Sequence, residues 1–61
     1  SALQIVHERL LREAQRQLLY TRAPVSQVAF ELGFADPAYF ARFFKRLAGA
    51  SPQAWRGRQG V

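Results

Sequence analysis

The 61-residue sequence contains no cysteine, one histidine, and four acidic residues against nine lysines and arginines. Without cysteine there is neither a disulfide framework nor a thiolate metal site. With His7 alone on a charged helix and no pair of carboxylates on one helix face, no acid–base couple can be assembled. An enzyme is therefore excluded, and no metal or other cofactor is expected. No apolar run approaches the ~18–20 residues needed to span a bilayer, and no signal peptide, lipidation motif, repeat or low-complexity tract is expected. Glycine and proline are few, four and three, and they act as punctuation. Stability must then come from packing, which 49% hydrophobic and 13% aromatic residues make feasible. Below about 70–80 residues such a core supplies only a few kcal/mol, so a larger parent protein is easily imagined.

Charge is plentiful but uneven. The net charge is +5 and the sequence pI is 11.2. Residues 1–32 hold four arginines and three glutamates, whereas residues 33–61 hold Arg42, Lys45, Arg46, Arg56 and Arg58 against Asp36 alone. A basic half on a small folded domain suits a polyanionic partner such as nucleic acid or an anionic membrane. A merely soluble basic surface is the plain alternative.

Four helical segments and no strand alternation predict an all-α fold, a long N-terminal helix followed by three shorter ones. Over residues 3–20, Leu3, Val6, Leu10, Leu11, Ala14 and Leu18 share one side of the helical wheel. Glu8, Arg9, Arg12, Glu13 and Arg16 fill the other, with Glu8–Arg12 and Arg9–Glu13 spaced for surface ion pairs. Ile5 and Leu19 lie off the stripe and suggest a neighbour. Ser1 and Ala2 are left out of this helix. Pro24 breaks the chain out of it, and a short helix over 25–32 buries Val25, Val28, Ala29 and Leu32 before Gly33 stops it. Asp36-Pro37 is an N-cap followed by proline at the first helical position. The helix it starts, 37–48, turns Phe40, Phe43, Phe44 and Leu47 to the core and Ala38, Arg42 and Lys45 the opposite way, flanked by Ala41 and Arg46. Gly49 ends it. Ser51-Pro52 opens a last helical turn whose Trp55 folds back on the core, and a frayed tail is expected from Gly57 onward.

The two middle helices are joined by a short turn containing glycine, the pattern of a helix-turn-helix. Ala29 permits their close approach and Gly33 the turn. The motifs "VxxVAxxLGF", "DPAYFARFFKR" and "GASPQAWR" resemble the AraC/XylS family of bacterial transcription regulators, whose patterns are Ile-Ala-x-x-x-Gly-Phe, Tyr-Phe-Ser-Arg-x-Phe-Lys and Gly-x-Ser-Pro-x-x-Tyr/Phe-Arg. The match covers residues 25–56, and residues 3–20 resemble the family's linker helix. The resemblance implies the C-terminal part of the DNA-binding region. Residues 3–20 would be the linker helix, 21–58 the second helix-turn-helix unit, and 59–61 a frayed tail. It implies that a first helix-turn-helix and an effector or dimerisation domain belong to the parent chain, with Ile5 and Leu19 facing the missing neighbour. Double-stranded DNA is the implied partner, RNA polymerase a further candidate and a membrane none. The implied location is the bacterial cytoplasm, at the nucleoid.

In a helix-turn-helix the second helix enters the major groove, its N-terminal half nearest the base edges. Pro37, Ala38, Ala41 and Arg42 are thus the candidate base-facing residues, and Arg22, Ser26, Tyr39, Lys45 and Arg46 the candidate phosphate contacts. Each has a structural alternative. Arg42 can pair with Asp36 or Glu31, Lys45 and Arg46 can be solvated charge, and Tyr39 can sit at the core rim. Ala38 and Ala41 can touch a thymine methyl or merely fill a helix face. Asp36 is read as a cap, and Phe34, Phe40, Phe44 and Trp55 as core. Arg42 is the one strong base reader, so this unit is expected to add affinity more than discrimination. The rival function is a protein-docking helical module using the Ile5 and Leu19 side. A membrane-surface helix is disfavoured by the glutamates and glutamines on the polar face of 3–20.

Overall fold

The computed structural model describes residues 1–59, and these form four helices: α1 (Ala2–Tyr20), α2 (Val25–Glu31), α3 (Pro37–Ala48) and α4 (Pro52–Gln59). Each start follows the chemistry of its first residues. The Ser1 hydroxyl accepts from the Gln4 N–H, and the Gln4 side chain reaches back to the Ser1 backbone, closing a capping box. The Asp36 carboxylate accepts from the Ala38 N–H at 2.9 Å, with Pro37 behind it. The Ser51 hydroxyl accepts from the Ala54 N–H at 3.2 Å, with Pro52 buried beside it. The ends are equally local. Gly33 and Gly49 stand at φ of +94° and +84°, the left-handed region that costs other residues about 1–2 kcal/mol. In the turn after α2, the Phe34 N–H donates to the Ala29 carbonyl at 3.0 Å.

The core is small and continuous. Ala14 and Leu18 of α1, Val28 and Ala29 of α2, and Phe40, Phe43 and Phe44 of α3 are buried together. Leu10, Leu11, Ala23, Val25, Leu32, Phe34, Ala48 and Trp55 pack around them half-buried. Rings link the helices in an unbroken series. His7 meets Phe43 edge-on at 5.3 Å, Phe34 lies 5.3 Å from Phe43 and 5.2 Å from Phe40, Phe40 lies 6.0 Å from Phe44, and Trp55 closes on Phe44 at 5.8 Å. Aromatic pairs at these separations add about 0.5–1.5 kcal/mol each beyond the area they bury. Ala14 and Ala29, both fully buried, let α1 and α2 approach the aromatic layer closely.

Several sequence expectations change. α1 begins one residue earlier than expected because Ser1 caps it. Leu3 and Val6, placed on its apolar stripe, are 63% and 51% exposed. At 1.5 Å per residue a 19-residue helix is about 28 Å long, and its first turns run past the three short helices that cover the rest. Leu47, assigned to the core, is 41% exposed and lies outside the buried cluster, because its place on the apolar side of α3 does not by itself bring a neighbouring element over it. α2 ends at Glu31, with Leu32 as its cap. Neither expected ion pair of α1 forms. Glu13 instead pairs with Arg16, and also accepts from Gln17. Those hydrogen bonds, Arg16 first, hold the Glu13 carboxyl below its ordinary range and raise the Arg16 guanidinium above its own. Finally, α4 continues through Gly57 and Arg58 to Gln59, where a frayed tail was expected, so only 60–61 of that tail lie outside the described residues.

Candidate nucleic-acid interface

α3 is held by one side and free on the other. Phe40 and Phe44 are fully buried and Phe43 nearly so, which fixes the rotation of the helix about its own axis. Ala38, Tyr39, Arg42, Lys45 and Arg46 are consequently exposed, with Pro37 and Ala41 half-buried along the edge. The sequence-derived candidates on α3 thus share one solvent-facing arc.

That arc has two flanks. On one, Pro37, Ala38 and Ala41 line a groove together with Pro24, Val25 and Ser26 at the start of α2 and Ser51, Pro52 and Gln53 at the start of α4. Four candidates, Ser26, Pro37, Ala38 and Ala41, are thereby brought together although Ser26 lies on another helix. Among the described residues no charged side chain lines this groove. On the other flank, Tyr39, Arg42 and Arg46 share a shallow hollow with Phe43. The Arg42 guanidinium carbon lies 5.9 Å from the centroid of the Tyr39 ring, within reach of a cation–π contact. Such a contact restrains the arginine without neutralising it. Lys45 falls on the Ala38–Ala41 flank by helical periodicity, one turn beyond Ala41, and lines neither hollow.

Electrostatically the face is cationic and unopposed. Among the described residues the single ion pair is Glu13–Arg16, on α1. Asp36 caps α3 through its carboxylate, and neither Asp36 nor Glu31 forms the alternative ion pair with Arg42 among the described residues. Arg22 is separate from all of this. It lines a third hollow with Leu18, Leu19, Thr21, Arg56 and Gln59 at the junction of α1 and α4, and no residue of α3 takes part. Described His, Cys, Asp and Glu residues form no group of three that would hold a metal ion, and no described helix is long and apolar enough to cross a membrane.

The sequence reading missed Pro24, Val25, Ser51, Pro52 and Gln53 as walls of the groove. Their signal was present, because each group opens a helix at a proline, but only packing brings the helix starts together.

A hollow of small side chains where three helix starts meet, beside an unneutralised cationic stripe on α3, has the make-up of a surface for a polyanion with groove walls. Comparison with known proteins agrees. A family model described as a helix-turn-helix domain matches residues 1–58. The chain belongs to the AraC-type helix-turn-helix family of DNA-binding transcription regulators. It is 38% identical over 56 residues to the arabinose operon regulatory proteins of Escherichia coli (strain K12) and Salmonella typhimurium, which covers 92% of this chain. It is 44% identical over 45 residues, 74% of this chain, to the transcriptional activator RhaR of Enterobacter sp. (strain 638). The chain spans about a fifth of the arabinose regulators' length, 19% and 20%, and 16% of RhaR. No solved structure matches it.

Proposed function

We propose that this AraC-type unit binds double-stranded DNA by laying α3 in the major groove. Pro37, Ala38, Ala41 and Arg42 then face base edges, while Ser26, Tyr39, Lys45 and Arg46 meet phosphates and Arg22 reaches the backbone from the far side of the unit. The observation that carries the reading is the exposed arc of α3, where Arg42, Lys45 and Arg46 stand outside any ion pair among the described residues on a helix locked from behind by Phe40, Phe43 and Phe44. A cation that is already solvent-exposed loses little on transfer to a phosphate, and each neutralised phosphate releases condensed counterions. Base discrimination falls chiefly to Arg42, since a bidentate arginine–guanine contact separates bases by about 1–3 kcal/mol. The alanines and proline beside it offer only contact with thymine methyls.

A second reading rests on a different place. Leu3, Ile5 and Val6 are each more than half exposed at the free end of α1, and they fit a neighbouring unit of a longer parent chain, such as a first helix-turn-helix. The relatives' greater length supports this. In that parent, α1 is the linker and the present chain is the second of two reading units.

The deciding experiment is a ¹⁵N–¹H titration of the chain with a duplex at low salt, repeated at higher salt. Groove docking predicts shifts at Ser26 and across 36–46 that salt abolishes, and their loss in Arg42→Ala. Shifts confined to residues 3–19 and indifferent to salt would replace the DNA reading with the docking one.

A further inference from the structure

Arg56 belongs to the basic half of the chain by sequence, yet it is placed unlike the other cations there. Arg42, Lys45, Arg46 and Arg58 are exposed, whereas Arg56 is half-buried. Its Nε donates to the Leu18 carbonyl at 3.0 Å, across 38 residues of sequence. One of its terminal nitrogens, Nη2, is buried and makes no hydrogen bond among the described residues. That half of the guanidinium faces protein and is not offered to solvent.

The acceptor is significant. The last four carbonyls of a helix have no partner within it, and that end carries the negative pole of the helix dipole. α1 has no basic residue in its last turn to offset this. Thr21 satisfies the Gln17 carbonyl, through its N–H at 3.0 Å and its hydroxyl at 2.7 Å. The Leu18 carbonyl is satisfied from α4, by a cation. The joint also lies on the hollow that holds Arg22, and it lies at the end of α1 opposite the one left uncovered at Leu3 and Val6.

We infer that Arg56 is a positioning residue for DNA binding, a pin that joins the C-terminal end of α1 to α4 and so fixes the direction of α1 relative to α3, and that it is not a phosphate contact. The direction of α1 decides where anything attached to its free end lies relative to the groove occupied by α3. The inference uses the DNA reading for its binding readout only; the orientation readout stands apart from it.

The test compares Arg56→Met, which keeps an apolar stem and removes every donor, with Arg56→Lys, whose ammonium can still reach the Leu18 carbonyl. Residual dipolar couplings of the free chain report whether α1 shares one alignment frame with α2–α4. For Arg56→Met, couplings of α2–α4 are expected to keep a common frame while those of α1 depart from it or average down; Arg56→Lys is expected to restore the frame in large part. Binding to a duplex is then followed against salt. A lost phosphate contact lowers the slope of log K against log salt by about 0.9, whereas loss of the pin leaves the slope at its wild-type value while affinity falls. Should Arg56→Met fail to fold, both readouts are taken on Arg56→Gln, whose neutral amide nitrogen takes the place of the arginine Nε beside the Leu18 carbonyl; a pin predicts an unchanged slope and an α1 frame near the wild-type one. An α1 that stays in frame without any donor, an α1 out of frame in Arg56→Gln, or a slope reduced by about 0.9 in either neutral variant overturns the inference. If the wild-type chain binds no duplex, the DNA reading fails, and the couplings still decide whether Arg56 pins α1.

Discussion

The two ends of α1 have similar composition and opposite fates. Near its start, Leu3 and Val6 continue the apolar stripe that Ala14 and Leu18 occupy near its end, yet the first pair is more than half exposed and the second is essentially buried. The C-terminal end also receives a cation and a hydrogen bond from α4. An amphipathic pattern states which side of a helix can be buried. Whether it is buried depends on how far the neighbouring elements extend, and here α2, α3 and α4, of 7, 12 and 8 residues, cover only part of a 19-residue helix.

Substitutions at the two ends put this contrast to the test. The largest effect is expected from Leu18→Ala, because Leu18 is 2% exposed within the main cluster and a buried leucine-to-alanine change costs about 2–5 kcal/mol. In a domain of this size that loss consumes much of the stability, so urea unfolding should show a midpoint near zero or no folded baseline. A well-resolved transition close to wild type would mean that α1 is not docked through this end. Next comes Ala14→Leu, which forces a larger side chain between α1 and the aromatic layer; overpacking of this kind costs about 1–3 kcal/mol, readable as a lower thermal midpoint. The smallest effect is expected from Leu3→Ser with Val6→Ser. Exposed positions away from special features usually change stability by no more than about 0.5 kcal/mol, so the unfolding curve should superimpose on that of the wild type. A cost comparable to Leu18→Ala would show that the free end of α1 is covered in solution.

The candidate site offers a related contrast. α3 was legible almost to the residue, since Asp36-Pro37 writes its start, Gly49 its end, and the spacing of Phe40, Phe43 and Phe44 its buried side. Once that side is known, the exposure of Arg42, Lys45 and Arg46 follows from periodicity. Leu47 fits the same spacing yet remains exposed, because periodicity carries no information about the reach of a neighbouring helix. The joining of Ser26 to Pro37, Ala38 and Ala41 in one groove was not readable, nor was the pairing of Glu13 with Arg16 in place of Arg9. Arg56 shows the limit most sharply. By composition it is one more cation in a basic half, and its acceptor lies 38 residues away.

The local features of this protein follow from short stretches of its chain. Caps, prolines and left-handed glycines act over three or four residues, and so four helices, their boundaries to within a residue except at the end of α4, and the cationic side of α3 are encoded in short range. Which apolar residues are covered, which cation is drawn into a joint, and which helix starts meet in a groove is settled by packing between helices. Those outcomes depend on helix lengths and on contacts between residues far apart in the chain, and a backbone carbonyl at Leu18 becomes a partner for Arg56 only after α4 has packed across the end of α1.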